Sequence, residues 1–200
     1  MKKAILSLAI LAGVTGAAQA QTTRFGIKAG IGLATVTGSD VSSTNRTNLV
    51  VPQAGLMADF SFNDLLSFHP ELLYSQKGIR YASGSDYVQS RLSYLDLPLL
   101  LRVKADGLFF EAGPQVGFLI GQKDESHVSG QTFSSTSTDG TRKADVGYIA
   151  GVGYQLSSGL EFGVRYNGGI SDINDKYNSN SPKNRNSVFQ FQIGYLFGGK

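Results

Sequence analysis

Hydrophobic and polar residues alternate one by one along most of this chain. In residues 67–104, for example, Leu95, Leu97 and Leu99 share one face of a segment, whereas Asp96 lies on the opposite face. Successive side chains of a β-strand point to opposite sides, so this period of two predicts strands with one apolar and one polar face.

Eight such segments follow one another along the chain. The sequence predicts strands near residues 24–33, 50–60, 108–120, 146–156, 160–167 and 188–197, and two further strands within residues 67–104. Their connections alternate in length: polar loops are expected near 37–48, 82–88, 122–142 and 171–186, and short turns near 61–65, 105–107 and 157–159. Outer-membrane barrels have this asymmetry, with short periplasmic turns and longer extracellular loops.

The apolar face recurs in nearly every strand, and no second set of elements is available to cover it. We therefore predict an all-β fold, an eight-stranded antiparallel up-and-down transmembrane β-barrel whose apolar face contacts lipid. Tyrosines near the strand ends fit the interfacial aromatic girdles of such barrels. They are Tyr74, Tyr81, Tyr148, Tyr154, Tyr166 and Tyr195.

The opposite face, rich in Gly and Gln, carries four positive and five negative residues and becomes the barrel interior. They are Lys28, Asp59, Glu71, Lys77, Asp96, Arg102, Glu111, Glu161 and Arg165. An eight-stranded barrel is just wide enough for side chains to fill, and buried charges must pair. We single out six residues as a lumen charge network, namely Lys28, Glu71, Asp96, Arg102, Glu111 and Arg165.

The first residues predict export. Residues 1–20 have a basic start, a short apolar run and a small-residue end, which is typical of a signal peptide, so residues 21–200 are expected to form the barrel domain. Without Lys2 and Lys3, 16 basic residues face 15 acidic ones, so the charge does not favour nucleic-acid binding. The chain has no Cys, which excludes disulfides and thiolate metal sites.

Candidate chemistry outside this pattern is weak. His69, near a periplasmic strand end, and His127, in the longest outer loop, should lie far apart, and a catalytic base must lie within hydrogen-bond reach of its nucleophile. Asp172 and Asp175, with Asp139 and Asp124, match no calcium-loop spacing. We expect no catalytic residues, no metal and no cofactor.

Two prolines and two leucines depart from the alternation. Pro98 and Pro114 lie inside predicted strands, and because proline lacks an N–H donor, we expect bulges or local breaks there. Leu100 and Leu119 should point inward against the pattern.

The chain resembles the PorT-like family of bacterial outer-membrane β-barrels, often called the porin family. The similar segments are PELLYSQKG from Pro70, YLDLPLLL from Tyr94, AGPQVGF from Ala112, GVGY from Gly151, RYN from Arg165 and the final strand at 188–197. The resemblance implies an eight-stranded barrel in the outer membrane. It implies little about activity, although the namesake of the family takes part in protein secretion.

These observations favour a non-enzymatic integral protein of the bacterial outer membrane, with a structural or surface-interaction role. The lipid bilayer is its expected partner, protein partners would bind through extracellular loops, and we expect a monomer. The alternatives are a small diffusion pore and, through the resemblance, an accessory factor in protein secretion. A soluble lipocalin-like binder is disfavoured because that barrel needs an apolar interior.

Overall fold

The computed structural model describes residues 22–38, 44–174 and 183–198, and this part of the chain is built from β-strands. The strands are β1 (Thr22–Gly38), β2 (Arg46–Thr47), β3 (Leu49–Ser61), β4 (Leu66–Ser83), β5 (Asp86–Ala105), β6 (Leu108–Val128), β7 (Gln131–Ser135), β8 (Ala144–Gln155), β9 (Leu160–Gly169) and β10 (Asn184–Leu196). No described segment forms a helix that could cross a membrane. The predicted signal peptide lies outside the described residues.

Eight of these strands close into a ring. Each pairs antiparallel with its neighbours in the order β1, β3, β4, β5, β6, β8, β9 and β10, and β10 pairs back onto β1 from Gly26↔Leu196 to Gly38↔Asn184. The predicted eight-stranded antiparallel barrel is thus confirmed. Closure leaves the ring without a free edge, so the backbone groups of the ring strands can pair within the sheet.

The turns at one end of the barrel are short. Asp106 and Gly107, with φ of 49° and 86°, form the predicted hairpin turn between β5 and β6, since two consecutive positive φ values are typical of a type I′ turn. Residues 62–65 and 156–159 make the other two connections at this end. Short turns face the periplasm in outer-membrane barrels, and we orient the molecule accordingly.

At the opposite end, strands continue where the sequence predicted loops. The connection expected at 82–88 is a two-residue turn at 84–85, and β6 reaches Val128 before β7 folds back on it. We call this projection, made of β2, β7 and the outer parts of β4, β5 and β6, the extension sheet. It begins near Gly78, whose φ of +143° is a conformation that favours glycine.

Pro98 interrupts the ladder without adding a residue. The β5–β6 pairs run to Pro98↔Gln115 and resume at Leu101↔Ala112 in the same register, which is the expected local break. The register shift between β5 and β6 lies instead between Ser93 and Tyr94, so of the two expected irregularities the prolines produce the local break. Proline removes one donor from the ladder, whereas a bulge needs an extra residue in one strand.

The apolar face of the ring strands points outward. Leu95, Leu97, Leu99 and Leu101 on β5 are 40–55% exposed, as expected for side chains that contact lipid. Leu100 is fully buried and points inward, as the sequence predicted. Five of the six predicted girdle tyrosines lie on the outward face, but Tyr81 does not: it lies on the inward side of the extension sheet, paired with Val88.

Candidate functional site in the barrel interior

Small residues make room for long charged side chains inside the barrel. A Cβ atom at Gly151 would lie 2.7 Å from the Cβ of Arg165, and one at Gly194 would lie 3.0 Å from the Cγ of Glu161. Both separations are shorter than van der Waals contact. The inward glycines therefore allow Arg165 and Glu161 to extend into the lumen.

Arg102 on β5 bridges two carboxylates from other strands. Its Nη1 donates to Glu161 Oε2 at 2.8 Å, and its Nη2 donates to Glu111 Oε2 at 2.8 Å. The guanidinium also lies 3.9 Å from the ring centroid of Phe109, close enough for a cation–π contact. Arg102 thus links the β5–β6 wall to β9, which does not neighbour it in the ring.

Arg165 on β9 reaches the opposite wall. Its Nη1 donates to Glu71 Oε2 on β4 at 2.7 Å, and its Nη2 donates to Gln53 Oε1 on β3 at 3.0 Å. Lys28 on β1 pairs with the same Glu71 and lies 3.6 Å from Glu161 Oε1. These contacts cross the full width of the barrel.

Together these residues form a charge-balanced group, which we call the central cluster: Lys28, Glu71, Arg102, Glu111, Glu161 and Arg165. Three cations face three carboxylates, and no side chain of the six is more than 2% exposed. Burial of an unpaired charge is costly, and the ion pairs offset much of the cost of burying these six charges.

Two further polar groups flank the central cluster. On the periplasmic side, Asp59 accepts hydrogen bonds from Ser67 Oγ at 2.8 Å and from Lys104 Nζ. On the extracellular side, Lys77 Nζ donates to Asp96 Oδ1 at 3.2 Å and to Asp145 Oδ2 at 3.0 Å. The polar interior therefore continues beyond the central cluster in both directions.

Five of the six residues that the sequence singled out meet in the central cluster, and Asp96 belongs to the extracellular group instead. Glu161, one of the other inward charges in the pattern, completes the central cluster. Gln115 and Asn167, joined by a 2.7 Å hydrogen bond, link β6 to β9 on the inward side of β8. The alternation in the sequence already placed both side chains on the inward face, but nothing in the sequence indicated which partner each would contact.

His69 lies near the periplasmic end of β4, as the sequence indicated, but the sequence did not indicate its partners. It is fully buried, with Nδ1 3.3 Å from Asp59 Oδ1 and Nε2 3.1 Å from Arg102 Nη2. It therefore joins the periplasmic group to the central cluster. His127, in contrast, does not lie in the predicted loop: it is in β6 and pairs with Thr132 of β7 in the extension sheet.

The loop carboxylates considered for calcium have local partners. Asp172 Oδ1 accepts from the backbone N–H groups of Asn174 and Asn184, both at 3.1 Å, and Asp139 accepts from Ser137 at 3.0 Å. Asp175 lies outside the described residues. Within the described ranges, no three His, Asp or Glu side chains are grouped so that they could hold a metal ion.

The outward face of the extension sheet carries a second polar constellation. Tyr87 donates a hydrogen bond to Glu125 Oε1 at 2.7 Å and stacks on His127 at 5.3 Å between ring centroids. This bond lowers the pKa of the Glu125 carboxyl below its ordinary value, with Lys123 acting in the same direction, and it raises the pKa of Tyr87.

Replacing Tyr87 with Phe should raise the pKa of Glu125 towards its ordinary value, because the carboxylate loses the donor that stabilises its charged form. The shift should be incomplete, since Lys123 Nζ remains 3.2 Å away. An NMR titration of the glutamate carboxyl carbons measures it, with Tyr81→Phe on the opposite face as control. An unchanged Glu125 pKa in the Tyr87 variant would show that the hydrogen bond is not made in solution.

Comparison with known proteins agrees with this architecture. The family described as "Outer membrane protein beta-barrel domain" matches residues 18–175. A search of curated proteins finds no match. Among solved structures, Neisserial surface protein A is 16% identical, with a TM-score of 0.50 over 86% of this chain and 97% of its own.

Two other solved barrels align over a similar share of this chain. Ail of Yersinia pestis is 13% identical, with a TM-score of 0.48 over 88% of this chain and 99% of its own. OprG of Pseudomonas aeruginosa is 14% identical, with a TM-score of 0.42 over 88% of this chain and 97% of its own. At 16% identity, the likeness to Neisserial surface protein A bears on the fold alone. The family match covers more than half of the sequence, and the chain belongs to the outer-membrane protein β-barrel domain family of the bacterial outer membrane.

Proposed function

We propose that this protein is a monomeric, non-enzymatic scaffold of the outer membrane whose lumen is closed to solutes. The observation that supports this best is the central cluster, in which paired charges from both walls meet across the barrel. The extension sheet would then be the part available for contacts outside the cell. Among outer-membrane barrels we assign the chain to the PorT-like group, on the motifs described above.

We further propose that residues 1–20 direct export and are removed, leaving residues 21–200 as the barrel domain. This processing fits the period-two pattern, which starts at about residue 24. It also fits the position of Thr22, which lies at the periplasmic end of β1 and opposite Ser61 of β3.

The pairing geometry supports a closed lumen on energetic grounds. A permeating ion would have to displace Arg102 from Glu111 and Glu161, or Arg165 from Glu71, and each displacement would leave a buried carboxylate unpaired. Water-filled channels are a property of wider barrels, whereas eight strands enclose a space that side chains can fill.

Conductance in a planar lipid bilayer tests the proposal. We expect no discrete current steps from the wild-type protein, with a large general porin in the same bilayer as the positive control. Migration of unheated and heated samples on a detergent gel verifies that the protein inserted is folded. Steps in the wild type that change in size in Glu111→Gln would contradict the closed lumen and favour the small diffusion pore.

A further inference from the structure

Basic side chains are grouped on the outward face of the extension sheet. Arg91 of β5 lies directly opposite Lys123 of β6, and across β4 the partner of Arg91 is Gly78, which has no side chain. In the next row, Arg80, Gln89 and Glu125 lie side by side. We call Arg80, Arg91 and Lys123 the outward basic group.

This group lies just beyond the lipid-facing band. The outward residues of β5 are apolar from Val103 to Leu95, and Ser93, which hydrogen-bonds Tyr74 at 3.1 Å, marks the change to polar side chains. Arg91 is two residues further, about 7 Å along the strand. Since the headgroup layer on each side of a bilayer is on the order of 5–8 Å thick, these side chains lie at headgroup level.

The group also carries uncompensated positive charge. Glu125 is the one carboxylate at an outward position of the described extension strands, and Tyr87, Gln89 and Lys123 already donate to it or pair with it. Arg80 lies over the Tyr87 ring at 4.3 Å, and Arg91 donates to the Val50 carbonyl at 3.2 Å. Neither arginine forms an ion pair with a carboxylate among the described residues.

We propose that the outward basic group binds the phosphate of an anionic lipid headgroup in the outer leaflet. Guanidinium groups bind phosphate oxygens in bidentate fashion, and a like-charged pair such as Arg91 and Lys123 is unfavourable unless an anion lies between its members. The adjoining apolar face holds the tail of the same lipid. A lipid can therefore bind the basic group and the apolar face at once, whereas a free anion can bind only the basic group.

Titration of the full-length protein in a zwitterionic detergent tests this proposal. The probe is short-chain phosphatidylglycerol, compared with phosphatidylcholine of the same chain length, and NMR shifts report the affinity. We expect the wild type to prefer phosphatidylglycerol. Each of Arg80→Gln, Arg91→Gln and Lys123→Gln should lower that preference about five-fold, and the triple variant should lower it by up to on the order of 100-fold.

The matched control removes the same charge elsewhere on the extracellular half, with Arg46→Gln, Arg142→Gln and Lys143→Gln combined. An equal loss in this control, or an unchanged preference in the outward triple variant, would overturn the proposal. So would inorganic phosphate that competes as well as phosphatidylglycerol, since the site would then bind free anions. Heat-modifiable migration verifies folding, and the single variants carry the test if the triple variant does not fold.

Discussion

Replacing Arg102 with Met lowers the free energy of unfolding by about 3–5 kcal/mol, because one substitution leaves two buried carboxylates without their main partner. Glu111 and Glu161 both accept from this guanidinium at 2.8 Å and are almost fully buried. Met fills much of the volume of the Arg stem, so the decrease in the free energy of unfolding reflects the lost charge more than lost packing. Urea unfolding in lipid vesicles, followed by the change in gel migration, measures it.

A second substitution separates charge from shape. Combining Arg102→Met with Glu161→Gln returns the central cluster to two cations and two carboxylates, so we expect part of the lost stability to return. Lys143→Met, in the exposed segment between β7 and β8, is the control and should change stability by no more than about 0.5 kcal/mol. A double variant no more stable than Arg102→Met would show that charge balance does not govern this interior.

A charge introduced on the lipid-facing side should lower the free energy of unfolding by nearly as much. Leu99 is the middle one of five outward apolar residues on β5, from Leu95 to Val103, and is 40% exposed. Leu99→Arg places a guanidinium near the centre of the bilayer, which costs about 2–4 kcal/mol in transmembrane barrels. The same vesicle unfolding measurement applies.

The depth dependence makes this second prediction specific to a membrane. Val103→Arg, on the same face but close to the periplasmic end of β5, should cost only about 0–1 kcal/mol. In a protein whose outward face met water, both variants would be nearly neutral. Equal effects at positions 99 and 103 would contradict the assignment of this face to the lipid.

The period of two sufficed to assign most side chains to a face. Lys28, Glu111 and Arg165 are inward and Leu99 is outward, as the alternation predicted, since a strand in a two-sided environment has no other way to separate the two residue types. The rule failed beyond the membrane. In the extension sheet both faces meet water, so Ser, Thr and charged residues occupy both, and this stretch resembled a loop although it is paired strand.

The sequence alone thus determined the number of strands in the ring, the lipid-facing and inward positions and the near balance of inward charge, because these follow from local alternation. Only the tertiary structure decided which charges meet. Glu71 and Arg165 are 94 residues apart and lie on strands separated by three others on either side of the ring. Strand register and barrel closure set that contact, and they depend on all eight strands together. Asp96 lies on the same inward face as Arg102, yet its side chain forms an ion pair with Lys77 and does not join the central cluster.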